Sequence, residues 1–278
     1  MQPISRARLR LTVPVRLIEV TATMIGLLRK KITPSRPLAV APSGERIYAI
    51  GDIHGCADLL DALLEQIMAD HAGRPLAELR LIFLGDLIDR GPDSARVVER
   101  AMAVANAEPQ TRFLMGNHEE VFLKALHGDE KAMRFFCRIG GRETILSYGM
   151  SEDEYNRYDY TELADAMSKI VPDTHRQFLS GFEDVVIAGD YAFVHAGIRP
   201  GVPLAQQQQS DLRWIRDLFL DSTATHEQII VHGHTIATDI ESRANRIGID
   251  TGAYASGKLS AMAFEGTERW PLAAISSS

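Results

Sequence analysis

The chain has 278 residues, 45% hydrophobic and 24% charged, a length and balance that suit one large α/β domain or two small ones with a substantial core. Its formal net charge of −7 argues against a nucleic-acid binder, and no apolar run is long enough to span a membrane. Cys56 and Cys137 lack CxxC spacing and read as free thiols in a reducing compartment, so a cytoplasmic location is expected.

Charge is uneven along the chain. Residues 1 to 37 hold eight basic residues against one acid, Glu19, leaving 22 basic and 36 acidic residues for the remainder. The apolar-rich stretch Val15 to Leu28 raises a membrane-surface or targeting role, but the favoured reading of residues 1–44 is a basic, solvated extension and linker. Pro34, Pro37, Pro42 and Gly44 close that linker, and a folded domain is expected over 45–270.

In chain order, Arg46 to Ile50 reads as a strand and Asp58 to Ala69 as a helix, through Leu59, Leu60, Leu63, Leu64 and Ile67. Leu79 to Leu84 reads as a buried strand, Ser94 to Asn106 as a helix, Thr111 to Met115 as a strand and Glu119 to Leu126 as a helix. This repeat implies βαβ units and a largely parallel sheet. Residues 128 to 180 read as a mostly polar cap interrupted at Gly140-Gly141. Short strands follow at Val185 to Ala188, Tyr191 to Val194, Ile229 to Val231, Arg246 to Ile249 and Leu259 to Ala263, suggesting a second sheet packed on the first.

Five blocks carry the chemistry: GDIHG (Gly51 to Gly55), GDLIDRG (Gly85 to Gly91), GNHE (Gly116 to Glu119), VHAG (Val194 to Gly197) and HGHT (His232 to Thr235). Four follow apolar runs, so their Asp, Asn and His side chains are expected in the crevice at strand ends. Asp52, His54 and Asp86 are candidate ligands of one divalent ion. Asn117, His195 and His234 supply a second, with Asp86 as the bridge. Such a pair acidifies the water between its ions and clamps an oxyanion. Arg90 and Arg216 are candidate phosphate grips, and His118 oriented by Asp89 is a candidate proton donor. His71, His127, His175 and His226 match no block and read as surface residues.

Together these blocks resemble the phosphoprotein phosphatase (PPP) family of metallophosphoesterases, in its bacterial and phage-type Ser/Thr protein phosphatase branch. GDxHG, GDxxDRG and GNHE are intact, and the later HAG and GHT blocks match as well. The resemblance covers about residues 45 to 265. It implies an α/β calcineurin-like fold: two mixed β-sheets packed as a sandwich and flanked by α-helices. It also implies two divalent metal ions, manganese first with iron or zinc as alternatives. Asp52, His54 and Asp86 match one ion, and Asp86, Asn117, His195 and His234 match the other. Arg90, Asn117 and Arg216 match phosphate contacts, His118 and Asp89 the acid dyad, and His232 a supporting position.

The activity implied is phosphomonoester hydrolysis by a metal-bridging hydroxide. The expected substrate is a Ser/Thr or dual-specificity phosphoprotein, or a small phosphoester. A symmetrical dinucleoside-polyphosphate hydrolase is the alternative, disfavoured because that family tends to lack the Asp of DRG, which this chain keeps as Asp89. A non-catalytic scaffold is a minor one.

Overall fold

The computed structural model describes residues 38–276, so the expected N-terminal extension lies, up to residue 37, outside the described residues. Among the described residues, ten strands form two five-stranded sheets. The first sheet holds β1 (Glu45–Ile50), β2 (Glu78–Phe83), β3 (Arg112–Phe113), β9 (Lys258–Glu265) and β10 (Glu268–Ile275) in the order β10-β9-β1-β2-β3. The second holds β4 (Val186–Ala188), β5 (Tyr191–Phe193), β6 (Ile229–His232), β7 (Glu241–Ser242) and β8 (Arg246–Gly248) in the order β4-β5-β6-β8-β7. β1, β2 and β3 run parallel, as do β5, β6 and β8, while the outer pairs are antiparallel. The expected two mixed sheets with flanking helices are present.

Side-chain alternation explains the layering. In β1, Ile47 and Ala49 enter the core between the sheets, with Ile82, Phe193, Val231 and Ile249. Tyr48 and Ile50 enter the opposite core, covered by α1 (Ala57–Ala72), α2 (Ser94–Ala107) and α3 (Asn117–Leu126). That core continues beneath α4 (Glu130–Phe136), α5 (Arg142–Ser147), α6 (Glu152–Arg157), α7 (Tyr160–Ile170) and α8 (Asp173–Ser180). α9 (Gln209–Trp214) and α10 (Asp217–Leu220) cover the outer face of the second sheet, where Ile230 meets Leu212 and Phe219. A last short helix, α11 (Ala253–Ser256), precedes β9.

The structure corrects four expectations. The strand around Leu259 to Ala263 joins the first sheet, antiparallel to β1, and not the second. Both of its faces are apolar: Leu259, Ala261 and Ala263 face the helices, and Met262 and Phe264 face the other sheet, so it needs cover on both sides. β10, a hairpin partner reaching Ile275, was not anticipated. α3 begins at Asn117, not Glu119, because the Glu119 carboxylate accepts the Gly116 N–H at 3.1 Å and caps the helix from within. His175, expected at the surface, is buried and meets the Tyr148 hydroxyl at 3.0 Å.

Strand register positions the blocks. Ile50 stands opposite Phe83 and Phe83 opposite Phe113, so the first three blocks leave the sheet from neighbouring rows. Phe193 stands opposite Val231, which does the same for the last two. Gly85, with φ +96°, lies where three blocks meet: an added Cβ would stand 2.7 Å from Gly116 N and 2.9 Å from His195 Nδ1.

Away from this crevice, fully buried Arg46 ties β1 to β9 and to the end of α1. It donates to both Glu265 carboxylate oxygens (2.7 and 3.1 Å) and to the carbonyls of His71 (3.1 Å) and Pro75 (2.8 Å). Arg46→Met should lower the unfolding free energy by about 1–3 kcal/mol, since it strips partly exposed Glu265 and two backbone carbonyls of their shared donor. A fall in the urea midpoint at unchanged slope would show this.

Candidate active site

Asp86 sits at the centre. Its Oδ2 lies 3.5 Å from His195 Nε2, 3.6 Å from His54 Nε2 and 3.9 Å from His118 Nε2. Two groups of three result: His54, Asp86 and His118, and Asp86, His195 and His234, each with donor atoms within 4.8 Å of one another. Asn117 Oδ1 is 3.0 Å and His234 Nδ1 3.2 Å from His195 Nε2. Asp52 accepts the His234 backbone N–H at 3.0 and 3.2 Å, tying the first block to the last. The structure therefore gathers Asp86, Asn117, His195 and His234 around one point, sets His54 on the other side of Asp86 and anchors Asp52 beneath His234. His232 turns away to Arg246, 3.3 Å distant.

The imidazoles have the orientation that a cation would need. His54 Nδ1 lies 2.8 Å from the Ile88 carbonyl and His195 Nδ1 2.7 Å from that of Leu84. An Nδ1–H donating to each carbonyl turns the Nε2 atoms toward Asp86, where each offers a lone pair once its ring is neutral. His234 Nδ1 faces the same region, while its buried Nε2 has no hydrogen-bond partner. Carboxylate and imidazole donors of this kind suit Mn, Fe or Zn.

Electrostatics agree with that fit. Burial, with Asp250 close by, pushes the Asp52 carboxyl well up. Burial would also raise Asp86, but His195, His118 and His54 outweigh it and hold that carboxyl well below the usual range. Burial drives His54 down to about 3 and His234 to about 2, keeping both rings neutral as ligands must be. Burial would lower His195 too, yet Asp86 and Asp52 carry it to about 10. A proton there satisfies the carboxylates, and a bound cation would displace it.

Local backbone is strained at these positions. His54, Asp86, Asp89, Arg90 and His234 are the non-glycine residues with positive φ among the described residues, between +47° and +73°. Such conformations cost on the order of 1–3 kcal/mol each and persist where surroundings over-determine them. Glu119 does so for the Asp86 turn. Its buried carboxylate accepts the N–H groups of Asp86 (2.8 Å), Leu87 (2.8 Å), Ile88 (3.4 Å) and Gly116 (3.1 Å).

His118 Nδ1 is 2.6 Å from Asp89 Oδ2, and the other Asp89 oxygen accepts the Thr144 hydroxyl at 2.6 Å. Burial works against the His118 charge, but Asp86 and Asp89 together raise its pKa. Arg90 spans His54 Nε2 (3.1 Å) and His118 Nε2 (3.0 Å) with its two Nη groups, so a guanidinium already brings positive charge to this donor set. Arg216 is exposed where α10 begins, and its charge helps to lower His234. Sequence reading gave no role to Glu119, although it closes the GNHE block, nor to Thr144, Ser94, Asp250 or Tyr254. Ser94 Oγ accepts the Asp89 N–H at 3.0 Å.

Glu119→Ala should strip four N–H groups of their acceptor and weaken Mn affinity about 10–100-fold, the usual cost of losing a group that supports a ligand. Titration calorimetry would measure this, and unchanged affinity would dismiss Glu119 as the organiser of Asp86.

Comparison with known proteins shows which family uses this arrangement. A "Bis(5'-nucleosyl)-tetraphosphatase, symmetrical" of Acidovorax sp. strain JS42 is 30% identical over 154 residues, covering 55% of this chain but only 44% of that relative. The "Bis(5'-nucleosyl)-tetraphosphatase PrpE [asymmetrical]" of Bacillus subtilis strain 168 is 28% identical over 242 residues, covering 77% of this chain and 89% of the relative. Among solved structures, a cold-active protein tyrosine phosphatase superposes with a TM-score of 0.54 at 19% identity, covering 85% of this chain and 80% of that one, a likeness of fold alone. The calcineurin-like phosphoesterase family matches residues 45–261, every block included, and this chain belongs to it.

Proposed function

We propose that this phosphoesterase hydrolyses dinucleoside polyphosphates, with phosphomonoesters of phosphoproteins as the second reading. The observation that carries phosphoester cleavage is the convergence of His54, His118 and His195 on Asp86 beneath the Arg90 guanidinium. The names of the Acidovorax and Bacillus relatives favour the dinucleotide over the phosphoprotein that the motifs first suggested. What favours the second reading is the His118–Asp89 pair backed by Thr144, an acid well suited to the poor alkoxide leaving group of phosphoserine.

Asp52, His54 and Asp86 would hold one divalent ion, and Asp86, Asn117, His195 and His234 another. When bound, such ions neutralise phosphate charge and lower the pKa of water to near neutrality. The protein's own groups then orient the substrate. Arg90 and Arg216 grip non-bridging oxygens, and Asn117 offers its amide to the same phosphate. His118, charged by Asp89, delivers its Nε2 proton to the oxygen of the departing group as the phosphorus–oxygen bond breaks.

Wild-type protein should turn over diadenosine tetraphosphate with a higher kcat/KM than a phosphoserine peptide. Two ADP would mark symmetrical cleavage and AMP with ATP asymmetrical cleavage, while preference for the peptide would reverse the ranking. Chelation should abolish activity and added Mn should restore it, and Asp86→Asn and His118→Asn should be inactive on p-nitrophenyl phosphate. Removing the Asp89 charge lowers the His118 pKa, so the proton donor is lost at lower pH. Asp89→Asn should therefore shift the alkaline limb of the kcat profile downward and reduce kcat by about 10²-fold or more. An unmoved limb would separate Asp89 from the acid.

A further inference from the structure

We infer that Tyr254 forms a nucleobase-stacking subsite beside the scissile phosphate, a role that rests on the dinucleotide reading above. Tyr254 stands on α11, in the loop after β8, and its ring meets the His54 ring edge-on with centroids 5.4 Å apart. The Arg90 guanidinium carbon lies 4.9 Å from the centre of the same ring. Arg90 in turn spans His54 and His118, so one guanidinium touches the two imidazoles and the tyrosine together. A phosphate gripped by Arg90 over Asp86 thus has an aromatic ring one side chain away, on the His54 side of the crevice.

The ring is available. Tyr254 is 39% exposed although its neighbour Ala253 is buried, and no hydrogen bond commits its side chain to another part of the described chain. Ile236, two residues past His234, is 48% exposed, and its Cγ2 lies 2.9 Å from where a Cβ of Gly252 would stand. The segment after β6 thus sets an exposed isoleucine against Gly252, two residues before the exposed tyrosine, and adds apolar surface beside a crevice otherwise lined with charged and polar groups. A flat apolar ring joined to a phosphate by a short polar spacer matches that sequence of surfaces, and a nucleotide has this form. Stacking of a base on an aromatic side chain is worth about 1–3 kcal/mol, and Arg90 near the ring adds a cation that also favours a π-face.

The test isolates the base. AMP and ribose 5-phosphate share a sugar phosphate and differ in the base, so their inhibition constants against p-nitrophenyl phosphate hydrolysis by Mn-loaded enzyme report what the base adds. Wild type should bind AMP about tenfold or more tightly than ribose 5-phosphate. Tyr254→Ala should bring the ratio close to one, and Tyr254→Trp should preserve or increase it. Equal constants in wild type, or a ratio retained in Tyr254→Ala, would overturn the subsite. Tyr254→Ala weakening both inhibitors equally would also overturn it, showing a ring that acts only by holding Arg90. If the ratio behaves as expected while diadenosine tetraphosphate is not hydrolysed, the subsite stands and the dinucleotide reading falls.

Discussion

The site depends on one carboxylate that neither touches substrate nor belongs to the candidate ligand set. Glu119, in the first turn of α3, collects backbone N–H groups from the Asp86 turn and from Gly116. Fully buried, it is pushed up to about 7 by desolvation, with Asp86 adding to the shift, and backbone N–H donors are what make its burial tolerable. In return it locks the second block to the third and holds Asp86 in a left-handed conformation that an aspartate adopts at a cost. Asp86 answers by accepting the His118 N–H at 3.1 Å, so the candidate ligand and the helix start are mutually fixed. The histidines converge on an oxygen whose position has already been decided.

A second constraint comes from the helical cap. Thr144 of α5 donates to Asp89 and also accepts the Asp89 N–H at 2.9 Å, gripping that residue from both sides. Gly140, with φ +117°, brings its carbonyl to the Arg90 N–H at 3.0 Å, and a Cβ there would stand 2.7 Å from Arg90 Cγ. The glycine pair first read as a simple break is where the cap presses on Arg90, the candidate phosphate grip. The cap contributes no candidate ligand, yet it orients both residues that follow Asp86 on the same loop.

Much of this was legible in the chain. Blocks that follow apolar runs fall at strand ends, and a parallel register carries them to one edge, so the location of the crevice followed from local pattern. The contacts that refine it did not. Thr144 meets Asp89 across 55 residues and Tyr254 meets His54 across 200, and no periodicity marks either partner. The sheet to which β9 belongs was decided by its having two apolar faces in need of cover, a demand that short-range pattern does not assign to one sheet or the other. Substrate preference was harder still, because an exposed rim such as the one proposed around Tyr254 carries no local pattern of the kind that marks the buried donors.

The hydrogen bond from His234 to Asp52 joins residues 182 positions apart and stitches one sheet to the other. A ribosome that has released the first sheet's loops has exposed Asp52, Asp86 and Asn117, but the imidazoles of His195 and His234 have yet to emerge. Until they do, the nascent chain has only a partial claim on a cation. Since β9 and β10 of the first sheet follow every strand of the second, the sheet begun first is finished last, and any cation held by Asp52 and His234 together would bridge the two sheets of a completed fold.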